Sequence, residues 1–253
     1  FFKKFSKKIF ESFDLCLAQN KETENYLKIL GSKSIKNYGN LKFSNVKSLN
    51  GGYLNNNLKH LVEKRKIWCA SSTHDSEEKI CANVHIKLKK IYNNLLTVII
   101  PRHASRADSI AKELSNLNLK IKLHNNNQKI EDDVDICLVD TYGETNKFFN
   151  ISKSVFIGGS LVNHGGQNPI EPSRHNCQIY HGPFIQNFQE IYGYLNNLLI
   201  SKKINNTNDL YNYLLEDLKS KKSQDQEIAK KIDFYGQEIL DNVLSDIKDY
   251  IAR

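Results

Sequence analysis

Methionine is missing from all 253 residues, and the chain begins with Phe1. With no initiator, it is expected to be a piece of a longer protein. Cysteine is scarce and unpaired. Cys16, Cys69, Cys81, Cys137 and Cys177 are odd in number, widely spread and never in a C-x-x-C pair. That spacing argues against disulfide or metal roles, and the apolar neighbours of most of them point to reduced thiols in a core. No apolar run approaches the about 18 residues that a membrane-spanning helix needs, and the N-terminus has no signal-peptide core or cleavage site. A cytoplasmic protein is the default expectation. His74, His103, His164 and His181 stand apart in the chain, and no acidic or histidine cluster has metal-ligand spacing, so no metal and no cofactor is expected. Internal repeats and low-complexity linkers are absent too.

What is present is ordinary for a folded protein: 25% charged and 40% hydrophobic residues, enough for one large α/β domain or one domain plus part of another. Lysine and arginine (36) outnumber aspartate and glutamate (28), for a net charge of +8. Such an excess can mark a nucleic-acid or anionic-membrane partner. The lysines are scattered among asparagines without an aromatic-interleaved stripe, so no nucleic acid is expected. The first ten residues, FFKKFSKKIF, differ. Phe1, Phe5 and Ile9 share one helical face and Lys3, Lys4, Lys7 and Lys8 another, the pattern of a basic amphipathic helix at a membrane surface. An ordinary helix packed on a domain fits the same pattern.

Along the chain, short apolar runs alternate with amphipathic stretches. FDLCLAQ reads as a strand, KETENYLKILG as a helix and SIKNYGNLKF as a strand and turn, a βαβ unit with too little surface to fold alone. After the glycine-rich 49–57 segment the alternation restarts. The strands are KIWCAS, LLTVIIP, LKIKLH, VDICLVD, SVFIGG and CQIYHG; SEEKICANVHIKLKKIY, ADSIAKELSNL, residues 144–149 and a stretch from Pro169 are helical. Nearly continuous apolar strands alternating with helices imply a parallel sheet covered on both faces. A Rossmann-like domain is therefore expected over residues 46–200, with 1–45 as the remnant of another domain and 201–253 as C-terminal helices packing back.

In open sheets of this kind, ligands bind beyond the carboxyl ends of the strands. Polar or glycine-bearing loops follow four of these strands, at Ser72-Thr73-His74, Pro101-Arg102-His103, Thr141-Tyr142-Gly143-Glu144 and the segment VFIGGSLVNHGGQNPIEP. In that segment Asn168 is placed as N-cap and Pro169 as the first helical residue, an opening suited to phosphate. Glu171 has two readings: a capping-box partner of the Asn168 N–H, or an acceptor for ribose hydroxyls.

GGSLVNHGGQNPIEP resembles the donor-site signature of bacterial 3-deoxy-D-manno-octulosonic acid (Kdo) transferases, which move Kdo from CMP-Kdo onto a lipid A precursor. Ser-Thr-His at 72–74, Pro-Arg-His at 101–103, Asp-Thr-x-Gly-Glu at 140–144 and Gly-Asn-Leu-Lys-Phe at 39–43 follow the family order. The resemblance implies a GT-B-type α/β fold: a Rossmann-like C-terminal domain with a parallel sheet, plus the last βαβ unit of an incomplete N-terminal Rossmann-like domain. It implies inverting transfer to lipid IVA at the cytoplasmic face of the inner membrane, with peripheral contact to anionic lipid. By position, Pro101 and Arg102 would border CMP; Tyr142, Gly143 and Glu144 would form a loop against the nucleotide; Asn168, Pro169, Ile170 and Glu171 would hold phosphate and ribose; and Lys42 would be catalytic, stabilising transition-state charge. Ala104 stands where the family usually has proline, Gln167 where histidine is frequent, and Tyr142 where methionine is frequent. The family's glutamate base has no counterpart here, so the chain is expected to be a donor-binding part, inactive alone. Another GT-B sugar-nucleotide enzyme, an epimerase or glycosyltransferase, and a non-catalytic nucleotide-binding module are the alternatives.

Overall fold

A computed structural model describes residues 2–44, 56–124, 129–223 and 226–252. Phe1, the expected domain boundary at 45/46 and most of the glycine-rich 49–57 segment lie outside the described residues. The chain forms two compact units, Phe1–Lys47 with Lys230–Arg253, and Ser48–Ala229.

In the first unit, helix α1 (Phe2–Glu11) is followed by strand β1 (Cys16–Ala18), helix α2 (Lys21–Ile29) and strand β2 (Ile35–Asn37). The strands pair in parallel with Cys16 opposite Ile35, so the segment is a βαβ unit. Asn20 caps α2 by accepting the Thr23 N–H at 2.7 Å, one of the donors a helix start leaves unsatisfied. The last helix of the chain, α10 (Glu227–Ile251), belongs to this unit from Lys230 onward. Gly236 is required there, because a Cβ would stand 2.1 Å from the Phe43 carbonyl oxygen. Lys36 and Tyr38 both donate to the Asp246 carboxylate, at 2.5 and 2.8 Å, and hold it below the usual carboxylate range. On α1, Phe5 and Ile9 are exposed, by 58% and 40%. Among the described residues, no helix is long and apolar enough to cross a membrane.

The second unit contains, in order, α3 (Asn56–Lys64), β3 (Lys66–Thr73), α4 (Glu77–Lys89), β4 (Leu95–Pro101), α5 (Ala107–Ser115), β5 (Ile121–Leu123), β6 (Ile136–Leu138), α6 (Thr145–Ile151), β7 (Ser154–Ile157), α7 (Ile170–Arg174), β8 (Gln178–His181), α8 (Gln189–Asn197), β9 (Ser201–Lys203) and α9 (Thr207–Asp217). Its sheet has the order β5-β6-β4-β3-β7-β8-β9, and every pairing is parallel. The α/β class and parallel sheet expected from sequence are present. Successive strand residues divide between two cores: Ile67, Cys69, Val155 and Ile157 join one, while Trp68, Ala70 and Phe156 join the other. Four cysteines sit in these cores; burial pushes Cys69 and Cys81 well up and Cys137 to about 12, so they are protonated packing residues. Helices α3 and α8 and strand β9 have no counterpart in the sequence reading. Strand β9 is an edge strand with two exposed lysines, a composition that blunts an open edge but carries little apolar signal.

At the amino ends of the strands, lysines meet the carboxyl ends of helices. Lys66 donates to the Leu218 carbonyl, Lys153 to the Asp217 and Ser220 carbonyls, and Lys222 to the Phe149 and Asn150 carbonyls. These carbonyls lie at or just beyond the carboxyl ends of α9 and α6, where a cation is favoured by the helix dipole.

Next to this cluster lies His175, with Nε2 buried and lacking a hydrogen-bond partner among the described residues. Burial and the Lys222 ammonium bring its pKa down to about 4. The unfolded chain, whose histidine titrates near 6.5, then binds a proton that the folded chain refuses. Stability should be complete above about pH 6.5 and decline as pH falls toward 4. In equilibrium unfolding across that window, His175→Gln should flatten the decline by about 1–3 kcal/mol; an unchanged slope would mean the proton is taken up elsewhere.

Candidate functional site

Strands β6, β4, β3 and β7 are neighbours, spaced about 4.8 Å apart, so the four loops singled out in the sequence leave one edge of the sheet side by side. Chain order reverses between β3 and β7: from β3 the chain winds to one side through β4, β5 and β6, then to the other through β7, β8 and β9. That reversal is where open α/β sheets form a crevice.

The crevice floor is tightly built. Strand β3 ends in an irregularity, with Ser72 in the left-handed region (φ 56°) and register shifting between Ser71 and Thr73. The Arg102 N–H donates to the Thr73 carbonyl at 2.9 Å, joining the β4 loop to the β3 loop. Gly158 lies so close to β3 that a Cβ would be 2.5 Å from both the Ser72 oxygen and the Thr73 Cα. Between these loops sits the carboxylate of Glu77, fully buried at the start of α4. It accepts the N–H groups of His74 (2.9 Å), Gly159 (2.7 Å), Ser160 (3.2 Å) and Leu161 (3.0 Å). Nothing in the sequence marked Glu77, since acidic residues are common in the first turn of any helix.

The sequence-derived candidates fall into a pattern of buried anchor and exposed polar group. Pro101 is the buried last residue of β4 and Arg102 beside it is exposed. In the β6 loop, Tyr142 is 82% exposed and Gly143 has φ +83°. Glu144 of that loop is buried beneath it; its carboxylate takes two bonds from Lys147, at 2.7 and 2.9 Å, and stands 3.6 Å from His124 Nε2. After β7, Pro169 and Ile170 are buried and Asn168 is exposed. The Asn168 side chain accepts the Ile170 N–H at 3.1 Å. The hydrogen bonds of the described residues include none from the Asn168 N–H to the Glu171 carboxylate. Helix α7 has five residues and starts at Ile170 with Pro169 at the cap position, one residue later than the sequence suggested, so Asn168 closes a turn ahead of the helix. Its dipole is short and local N–H groups supply most of any positive field. Lys42 belongs to the other unit, exposed in a 3-10 turn (Leu41–Ser44) that the Asn40 side chain caps by accepting the Lys42 N–H at 3.0 Å. With Leu17, Gln19, Tyr38 and Asn40 it lines a cavity of about 180 Å³ beyond the ends of β1 and β2.

Three histidines that are remote in sequence converge on this edge. His74 stacks on His164 with centroids 4.2 Å apart, and His103 stands edge-on to His74 at 6.4 Å. Burial, then His164, His103, Arg102 and Arg106, lower the His74 pKa, so the stacked imidazole is neutral at pH 7. Among the described residues, no three histidine, cysteine or carboxylate side chains are placed to hold a metal ion. The crevice thus presents Arg102, a cluster of three imidazoles and carboxylates at rigid strand ends, a surface able to bind an anionic, hydroxylated ligand.

The chain is 31% identical over 257 residues to a 3-deoxy-D-manno-octulosonic acid transferase of Rickettsia typhi, covering 98% of this chain and 54% of that protein. It is 30% identical over 194 residues to the corresponding protein of Haemophilus influenzae, covering 76% and 45%. Over most of its length the chain is thus similar to 3-deoxy-D-manno-octulosonic acid transferases. It spans about half the length of these curated Kdo transferase relatives. No family model matches it. Its fold is that of the C-terminal CMP-Kdo binding domain of WaaA from Acinetobacter baumannii, with a TM-score of 0.60 at 24% identity over 73% of this chain and 97% of that one. The structure of S. aureus MnaA with UDP matches at TM-score 0.53 and 14% identity over 94% and 61%. The GT-B-type assignment made from motifs agrees with these likenesses.

The capping geometry separates the two readings of Glu171. Asn168→Ala removes the acceptor of the Ile170 N–H and should cost about 0.5–2 kcal/mol in urea unfolding. Glu171→Gln should stay within about 0.5 kcal/mol of wild type. A larger loss in the second variant would show that the carboxylate is structural.

Proposed function

We propose that the chain is the donor-binding part of a glycosyltransferase that moves Kdo from CMP-Kdo to a lipid A precursor, lipid IVA, with inversion. The observation that carries this reading is the crevice at the four adjacent strand ends, built from the residues that match the Kdo transferase motifs. Residues 1–45, with α10 from Lys230 onward, would be part of an acceptor domain, and residues from 46 on, with β9 and α9, the donor domain.

In this reading the Arg102 guanidinium meets the donor phosphate, a charge-assisted contact. Pro101 holds that loop close, and Tyr142 with Gly143 covers the nucleotide. Glu144, tied to Lys147 and set beside His124, keeps the covering loop in place. Asn168, Pro169 and Ile170 shape the turn that faces the phosphate, and the Glu171 carboxylate accepts ribose hydroxyls. A base supplied by the acceptor half takes the proton of an acceptor hydroxyl; its oxygen bonds to the anomeric carbon as the carbon–oxygen bond to phosphate breaks and the electron pair leaves on CMP. Lys42 stabilises the charge developing in that step. The exposed Phe5 and Ile9 of α1, beside its lysines, suit peripheral contact with the anionic cytoplasmic face of the bacterial inner membrane. An epimerase or another GT-B glycosyltransferase would share the fold, and nucleotide preference separates these readings.

Calorimetry on residues 1–253 should give CMP binding with UDP weaker; absence of CMP binding by folded protein would overturn the donor assignment. Glu171→Gln should weaken CMP by about tenfold, the worth of roughly 1.4 kcal/mol, at near-constant stability. The same chain should not transfer Kdo, because its motif-matched residues serve the donor and leaving group, and general-base help alone is worth about 10²–10⁴-fold. Measurable transfer by residues 1–253 would place the base within them. In a complete enzyme, Lys42→Ala should depress turnover more than CMP affinity.

A further inference from the structure

The Glu77 carboxylate bears on how the crevice can hold an anion, an inference that rests on the donor-binding reading above. Three successive amides, those of Gly159, Ser160 and Leu161, point at one spot, an arrangement that forms an anion-binding nest. A glycine-rich loop of this kind after a strand is the usual cradle for a phosphate. Here the nest is already filled by Glu77. Oε2 accepts from His74 and Gly159 and Oε1 from Ser160 and Leu161, which uses the acceptor capacity of both oxygens. The Gly158 N–H is also taken, by the Ser71 carbonyl at 2.8 Å, and the Gly159 carbonyl accepts the Gly166 N–H at 2.8 Å. Glu77 has no ion-pair partner among the described residues, so these amide dipoles are what compensate its buried charge.

We infer that Glu77 is the positioning residue of the donor crevice: an internal carboxylate that occupies the anion nest of loop 158–161, fixes that turn against β3, and leaves the donor phosphate to Arg102 and the 166–171 segment. It touches no reacting atom. Its effect passes through the backbone, from the nest to Gly159 and from the Gly159 carbonyl to Gly166, two residues before Asn168.

The test uses residues 1–253 with CMP as probe. Glu77→Gln keeps the shape but turns one acceptor into an NH2 group facing the same amides. Hydrogen exchange at residues 159–161 should accelerate, and CMP affinity of the folded variant should fall by about tenfold or more, the scale of one buried donor left unsatisfied. In Glu77→Ala, acetate should enter the vacated nest and restore both protection and CMP affinity, whereas chloride at equal ionic strength should not. A lowered unfolding midpoint with unchanged CMP affinity would overturn the inference, since a purely structural role predicts it. Acetate that restores neither protection nor affinity would overturn it as well, and this arm decides the matter if the glutamine variant fails to fold. If wild type binds no CMP, the donor reading fails; unaltered exchange at 159–161 in Glu77→Gln would then separately refute the role of Glu77.

Discussion

One buried carboxylate governs the geometry of the crevice. Taking the Glu77 charge out of water is costly, and the chain compensates it with four backbone N–H groups from two loops. One of those loops follows β3 and the other follows β7, the pair between which the sheet changes winding direction. Removing the carboxylate would leave four donors facing each other in a dry space, so neither loop can relax without the other. The close approach at Gly158 and the Arg102-to-Thr73 bond extend the same rigid unit to the β4 loop. Strand ends, rather than the loops themselves, therefore supply the precision of the site.

On that frame each loop places a buried residue next to a more exposed one: Pro101 beside Arg102, Glu144 below Tyr142, Ile170 between the exposed Asn168 and the half-buried Glu171. The buried partner sets direction, and the exposed one meets a ligand. This explains how polar groups at the tips of short connections can be held without deep burial, and why a proline and an isoleucine belong to a site whose chemistry is polar. The stacked His74 and His164 fit the same logic. Burial and the neighbouring His164 ring lower the His74 pKa, so the contact between the rings favours a neutral His74.

Much of this was legible in the sequence, for identifiable reasons. The strands carry alternating or continuous apolar runs whose residues divide between the two cores as a period of two requires, as at Ile67, Trp68, Cys69 and Ala70. The motif residues announced the loops, and loops after parallel strands share an edge. What stayed hidden depends on partners far away in the chain. Glu77 reads as a routine helix-start acid until Gly159 to Leu161 are brought to it, more than eighty residues later. The meeting of His74, His103 and His164 follows from strand order, which periodicity does not encode. Glu144 was read as facing a nucleotide, and only the fold reveals Lys147 and His124 around its carboxylate. Strand β9 escaped because two of its three residues are exposed lysines, which carry no apolar signal, and its pairing with β8 runs through the backbone.

At the opposite end of the sheet, Lys66, Lys153 and Lys222 turn their ammonium groups onto the terminal carbonyls of α9 and α6. Burial lowers the pKa of Lys153 and Lys222, so these cations already face inward to backbone acceptors instead of outward to solvent. A count of basic residues adds them to the surface field as if they were free. Three of the cations counted in the formal charge of +8 are thus committed to closing helix ends, and their hydrogen-bonding capacity is already used within the fold.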